Sequence, residues 1–151
     1  MNKSTDSLNF PDVNVWMALL LGNHVHREAA RLWWQAAEGS IAFTRFTQIS
    51  VLRLLTTSAA MDGKPLSLSE AWRAYDQLYV DERVGLAPEP PEIEERFRLH
   101  ARGQTSSPKL WADAWLLAFA ESVGGTLVTF DRALAARSTC CLLLQGKSGD
   151  V

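Results

Sequence analysis

Residues 109–131 read KLWADAWLLAFAESVGGTLVTFD, and this stretch decides the fold. Positions 109–123 are apolar almost throughout and long enough for a buried helix. Ser107-Pro108 opens that helix, because a proline in the first turn lacks only an N–H that would have no partner there. Gly124-Gly125 ends it as a helix C-cap. TLVTF at 126–130 is then a strand, β-branched and apolar. An apolar helix running within two residues into an apolar strand belongs to a sheet covered on both faces.

Outward from this stretch, helix and strand signals alternate over the whole chain. A short extended segment, 7–11, leads into an apolar helix at 13–21. The segment 24–38 reads as a helix with Ala29, Leu32, Trp33 and Ala36 at helical spacing. SIAFT at 40–44 is a strand, and 45–57 a helix with Ile49, Leu52, Leu55 and Thr56 on one face. After the turn MDGKP, Ser67 and Glu70 form a capping box for a helix running to about residue 80. Strand 84–87 is followed by Pro88, Pro90 and Pro91, which break the chain before a helix at 92–102. Beyond 126–130 come a short helix at 132–137 and a last strand at 139–144. Five strands separated by helices predict an α/β fold with a five-stranded parallel sheet flanked by helices.

The 151 residues fit one domain, with a core from about 7 to 145 and a short flexible C-terminal tail. No apolar run approaches the roughly 20 residues of a membrane span, and no signal-peptide pattern opens the chain. The only cysteines are the neighbours Cys140 and Cys141, whose side chains would point to opposite faces of a strand. Buried thiols in a reducing cytoplasm are the expectation. A formal charge of −2 excludes a generally basic nucleic-acid binder. The distribution is uneven, however: nine of the seventeen acids lie between Asp62 and Glu95. From Arg96 onward seven Lys/Arg face only Asp113, Glu121, Asp131 and Asp150, a balance compatible with a polyanionic substrate.

Three aspartates stand in otherwise apolar contexts: Asp12 in NFPDVNVW, Asp113 in KLWADAWLLAFA and Asp131 in TLVTFDRAL. A buried carboxylate without a partner costs several kcal/mol or goes neutral, so each demands an explanation. Asp12 and Asp131 follow the first and fourth strands directly, where open parallel sheets bind ligands. Asp113 shares a helical stripe with Leu116, Leu117 and Ala120 and so faces inward. Taken singly, they read equally well as helix caps (Asp12, Asp131) and a salt bridge to Lys or Arg (Asp113). Taken together, hard oxygen donors without His or Cys suit Mg²⁺ or Mn²⁺ and phosphoryl-transfer chemistry.

In these motifs the chain resembles the PIN-domain family, and within it the VapC-type ribonuclease toxins of bacterial toxin–antitoxin pairs. The resemblance runs from PDVNVW to VTFDRAL. Asp12-Val13-Asn14 matches the family's opening Asp-x-Asn, Asp113 its inward acid in a late helix, and Asp131 the acid after the next strand. It implies a three-layer PIN-like fold and metal-dependent cleavage of RNA. It also implies a small antitoxin as partner and commonly a homodimer. Asp12 and Asp113 would be the principal metal ligands, and Asp131 a ligand or a holder of water. Asn14 and Thr129 would orient carboxylates. Arg45, Lys109 and Arg132 are candidate phosphate contacts, and Trp111 and Trp16 candidate groove residues.

The chain departs from the family in one respect. A further acid is expected from the helix after the second strand, yet no Asp or Glu occurs between Glu38 and Asp62. Gln48 stands at the matching position; its amide oxygen can ligate a metal or hold a water but brings no charge. This keeps open a second hypothesis, a PIN-like binding module whose catalysis has weakened. A receiver-type phospho-acceptor is disfavoured, because Asp12 has no adjacent acid and Leu144-Gln145 occupies the place of the lysine such a site needs. His24 and His26 diverge at i and i+2 and read as a surface pair, while Trp33, Trp72 and Trp115 read as core or interface.

Overall fold

In a computed structural model that describes residues 7–146, the predicted alternation becomes one five-stranded, wholly parallel sheet. The strands are β1 (Leu8–Pro11), β2 (Ser40–Phe43), β3 (Val84–Leu86), β4 (Thr126–Thr129) and β5 (Cys141–Leu143). The helices are α1 (Val13–Leu20), α2 (Arg27–Ala36), α3 (Arg45–Leu55), α4 (Leu68–Leu78), α5 (Ile93–His100), α6 (Lys109–Ser122) and α7 (Arg132–Ala135). A single 3-10 turn, Ala59–Met61, precedes α4. The predicted C-terminal tail lies, from residue 147 on, outside the described residues.

The strand order is β3-β2-β1-β4-β5. From β1 the chain therefore winds outward one way through β2 and β3, then returns to β1's other side for β4 and β5. That reversal makes a crevice between the carboxyl ends of β1 and β4, the usual ligand position in open α/β sheets.

Alternate sheet residues feed two cores. Trp16, Met17, Ile41, Phe43, Val51 and Leu55 pack on the side of α1–α4. Phe10, Leu116, Leu117, Phe119, Leu127 and Leu134 pack on the side of α5–α7. Trp16 stacks on Phe43 at 3.8 Å between ring centres, and Phe10 meets Phe119 edge-on at 5.0 Å. Each such ring removes large apolar area from water, worth about 1.5–3 kcal/mol when fully buried. The three-layer arrangement follows.

Two helices, α2 and α3, differ from expectation for local reasons. The helix expected at 24–38 begins only at Arg27, because the His26 N–H is taken by His24 Nδ1 at 3.0 Å instead of entering a helical ladder. Thr56 and Thr57 turn their hydroxyls back on the carbonyls of Leu52 and Arg53, so the helix expected to run to 57 stops at Leu55. The buried face of α3 is Thr47, Gln48, Val51 and Leu55, and Ile49 is exposed. Two polar residues can enter that core because both are hydrogen-bonded there. Trp16 is wholly buried and lines no groove, while Trp72, expected in core or interface, is half exposed and outside the core. Among the described residues, no helix is long and apolar enough to cross a membrane.

Candidate active site

The site is built from chain ends at the crevice. β1 delivers Asp12, whose N–H extends the ladder to the Val128 carbonyl at 2.8 Å. Asp12 then caps α1, its Oδ1 accepting the Asn14 N–H at 2.9 Å. Its Oδ2 accepts the Thr129 hydroxyl at 2.6 Å. That buried hydroxyl in turn accepts the Asp131 N–H at 3.0 Å, so Thr129 ties the ends of β1 and β4 together. Asp131 caps α7 through Oδ1 and the Leu134 N–H, leaving Oδ2 facing the crevice side chains. Capping and site-building are thus compatible, since each cap uses one carboxylate oxygen.

Asp113 arrives from the second turn of α6, buried as its helical stripe predicted. Lys109, one turn earlier, places its Nζ 2.7 Å from Asp131 and 3.8 Å from Asp113. The ammonium also feels Asp12, and its pKa is raised chiefly by the bond to Asp131 and the charge of Asp113. One cation therefore sits in the joint field of all three aspartates. Burial pushes Asp12 above the ordinary carboxylate range, against the hydrogen bonds from Thr129 and Asn14. Burial likewise raises Asp113, opposed by Lys109 and by Arg137. Asp131 is held low, first by Lys109 and then by the Leu134 N–H.

This donor set fits a hard divalent cation in chemistry: oxygens only, two of the three carboxylates desolvated, and charge to neutralise. As the side chains stand, no three acids or other metal-binding side chains among the described residues converge tightly enough to hold an ion. The Lys109 ammonium instead stands between Asp113 and Asp131. Its side chain is two-thirds exposed and free to withdraw towards solvent.

The remaining predicted residues are divided. Thr129 orients Asp12 as expected. Asn14 does so only through its main chain, and its own side chain is exposed. Gln48 is buried, but its amide oxygen accepts Arg45 Nη1 at 2.6 Å and its Nε2 donates to the Tyr75 hydroxyl at 3.2 Å. No hydrogen bond or ion pair among the described residues joins this Arg45–Gln48–Tyr75 group to the aspartates, and the Gln48 amide is engaged with Arg45 and Tyr75 instead. Arg132 is exposed without an ion pair among the described residues, and Trp111 is 61% exposed beside the cluster. Lys109, a candidate phosphate contact in the sequence, also supplies the salt bridge from Asp113 to Lys or Arg that the sequence left open, and its i,i+4 spacing is the readable signal.

Three comparisons bear on this geometry. The PIN domain family model matches residues 10–138. Ribonuclease VapC41 of Mycobacterium tuberculosis is 45% identical over 128 residues, covering 81% of this chain and 88% of the relative. Among solved structures, VapC20 of M. tuberculosis, described as a sarcin–ricin loop cleaving toxin, superposes with a TM-score of 0.61 at 15% identity, over 86% of this chain and 95% of its own. A toxin–antitoxin complex from Klebsiella pneumoniae gives 0.59 at 16% identity, over 89% and 95%. At these identities the two structures speak for the fold.

Proposed function

This chain belongs to the PIN-domain family, among the VapC ribonucleases, and from that membership we propose a metal-dependent endoribonuclease that acts as the toxin of a toxin–antitoxin pair. The observation that carries the reading is the gathering of three aspartates at the β1–β4 crevice, Asp113 and Asp131 on one Lys109 ammonium and Asp12 joined to Asp131 through the Thr129 hydroxyl. Asp12, Asp113 and Asp131 would hold Mg²⁺ or Mn²⁺, which supplies Lewis-acid stabilisation of phosphate charge and activation of water. Thr129 fixes the Asp12 carboxylate from beneath, and the α7 cap fixes Asp131. Lys109, two-thirds exposed at the crevice, would contact a substrate phosphate as a point charge. The expected partners are RNA, a small cognate antitoxin like that of the Klebsiella complex, and a second copy of the chain. Residues 1–151 would form one PIN domain working in the cytoplasm.

A second reading keeps one specific observation: where the family has an acid, Gln48 carries no charge and its oxygen is already bound by Arg45. A binding module with weakened catalysis would follow. The two readings are separated by an RNA cleavage assay. On the nuclease reading, cleavage requires Mg²⁺ or Mn²⁺, stops in EDTA, and drops by about a hundredfold or more in Asp12→Ala and Asp113→Asn. Undiminished cutting in EDTA would refute the metal mechanism. Thermal melts guard against simple unfolding. Because burial raises the Asp113 pKa, its charge costs stability at neutral pH, and the Asn variant should melt at or above the wild-type temperature.

A further inference from the structure

One cavity beside the cluster does not contain any of the three aspartates. It has a volume of about 670 Å³ and opens between the end of α5, the connecting segment 101–108 and the first turn of α6. That volume lies within the usual span of ligand sites, about 300–1,000 Å³. His100, Arg102, Ser106, Ser107, Trp111 and Arg137 line it, and no acid does. We propose that this cavity is a nucleotide subsite, holding the base and sugar of the RNA residue next to the phosphate under attack. The inference rests on the ribonuclease reading and deepens it.

Position carries the first part of the argument. Leu110 and Trp111 turn towards the cavity, while Lys109 and Asp113, on the same two turns of α6, belong to the carboxylate cluster. Arg137 on the opposite wall is close enough for its charge to act on Asp113. Cavity and cluster thus share a wall, and a strand with its phosphate at one would reach the other with its neighbouring nucleotide.

Chemistry carries the second part. Arg137 Nη2 donates to the His100 carbonyl, and its Nη1 is buried without a hydrogen-bond partner. It makes no ion pair among the described residues, and neither does Arg102. Two arginines left without carboxylates at an acid-free wall suit an anionic backbone. The Trp111 ring is 61% exposed but held edge-on by Phe97 at 6.3 Å, which makes it a fixed platform for a base. Ser106 and Ser107 lie in a segment with no helix or strand, where hydroxyls and main-chain groups are free to read base edges. A second cavity of about 590 Å³ shares Ala101, Arg102 and Trp111 with the first and is lined also by Arg98 with its partner Glu94, so the groove has room for a strand rather than a lone nucleotide.

The test uses the full chain, a fluorescein-labelled, unstructured octaribonucleotide and Mn²⁺. Binding is read by anisotropy in the Asp113→Asn background, and KM and kcat are measured separately in the active protein. Trp111→Ala and Arg102→Gln should each weaken binding and raise KM by about tenfold, with kcat changed much less. Trp111→Phe should restore most of the loss, and Trp72→Ala, far from the groove on α4, should bind as the wild type does. If the wild type cuts this RNA while Trp111→Ala and Arg102→Gln leave KM and binding unchanged, the subsite is wrong and the nuclease reading survives. If the wild type neither binds nor cuts RNA, the nuclease reading fails and takes the subsite with it. If the two variants bind RNA normally but lose a co-expressed cognate antitoxin, the face belongs to a protein and the proposal is overturned.

Discussion

Lys109 holds the balance of charge at the site. Three carboxylates, two of them desolvated, would repel one another without a cation, and the ammonium supplies one at 2.7 Å from Asp131. A divalent ion must compete with that tethered charge, and the fourth acid that would help it is absent at Gln48. Lys109→Gln should therefore tighten Mn²⁺ binding. For an ammonium two-thirds exposed, solvent leaves roughly 1 kcal/mol, or about fivefold in Kd. Calorimetric titration reads this directly, and an unchanged affinity would show that Lys109 does not contest the site. The same variant should raise KM for RNA, since a cation that would contact the phosphate is gone.

At the scale of elements, α6 and its exit set where Asp113 stands. The helix ends in a Schellman motif: Gly124 adopts φ +66°, its N–H bonding the Glu121 carbonyl, and the Gly125 N–H bonds the Ala120 carbonyl at 2.8 Å. Gly125 is also pressed against β1. A Cβ there would lie 2.8 Å from the Phe10 ring and 2.9 Å from the Leu8 carbonyl. Gly125→Ala should thus destabilise the protein by about 2–3 kcal/mol, within the range for overpacking a tight core, and denaturant titration measures it. A loss below about 0.5 kcal/mol would mean that β1 and α6 can part at no cost. The Gly-Gly pair was legible as a helix stop; the close approach to β1 was not, because nothing local specifies which strand a helix exit will meet.

Across the whole molecule, Arg83 joins parts far apart in sequence. Before β3 it binds both oxygens of Asp81, donates to the carbonyls of Trp34 and Ala37 at the end of α2, and lies 5.0 Å over the Trp34 ring. The Arg83 guanidinium holds the Asp81 carboxyl below its usual 3.8. A depressed folded pKa means stabilisation that is present above the unfolded value and lost as pH falls through the folded one. Asp81→Asn should then cost about 1 kcal/mol at neutral pH, and the gap from wild type should close below about pH 4. Melts across pH test the sign; a gap that persists in strong acid would exclude the ion pair as its source.

Local chemistry in the sequence determined a great deal of this protein. The helix caps, the proline and glycine stops and the apolar runs placed five strands and the helices between them. Asp12, Asp113 and Asp131 were visible as charges in apolar surroundings. Tertiary structure alone decided the rest. The order β3-β2-β1-β4-β5 brings Asp12 and Asp131 to one crevice, the Thr129 hydroxyl couples them, and Lys109 enters their field. Gln48 turns instead to Arg45 and Tyr75. Periodicity records that a side chain is buried, because burial depends on the face of its own element. Which partner it finds depends on strand pairing between distant segments, and no window of sequence contains that.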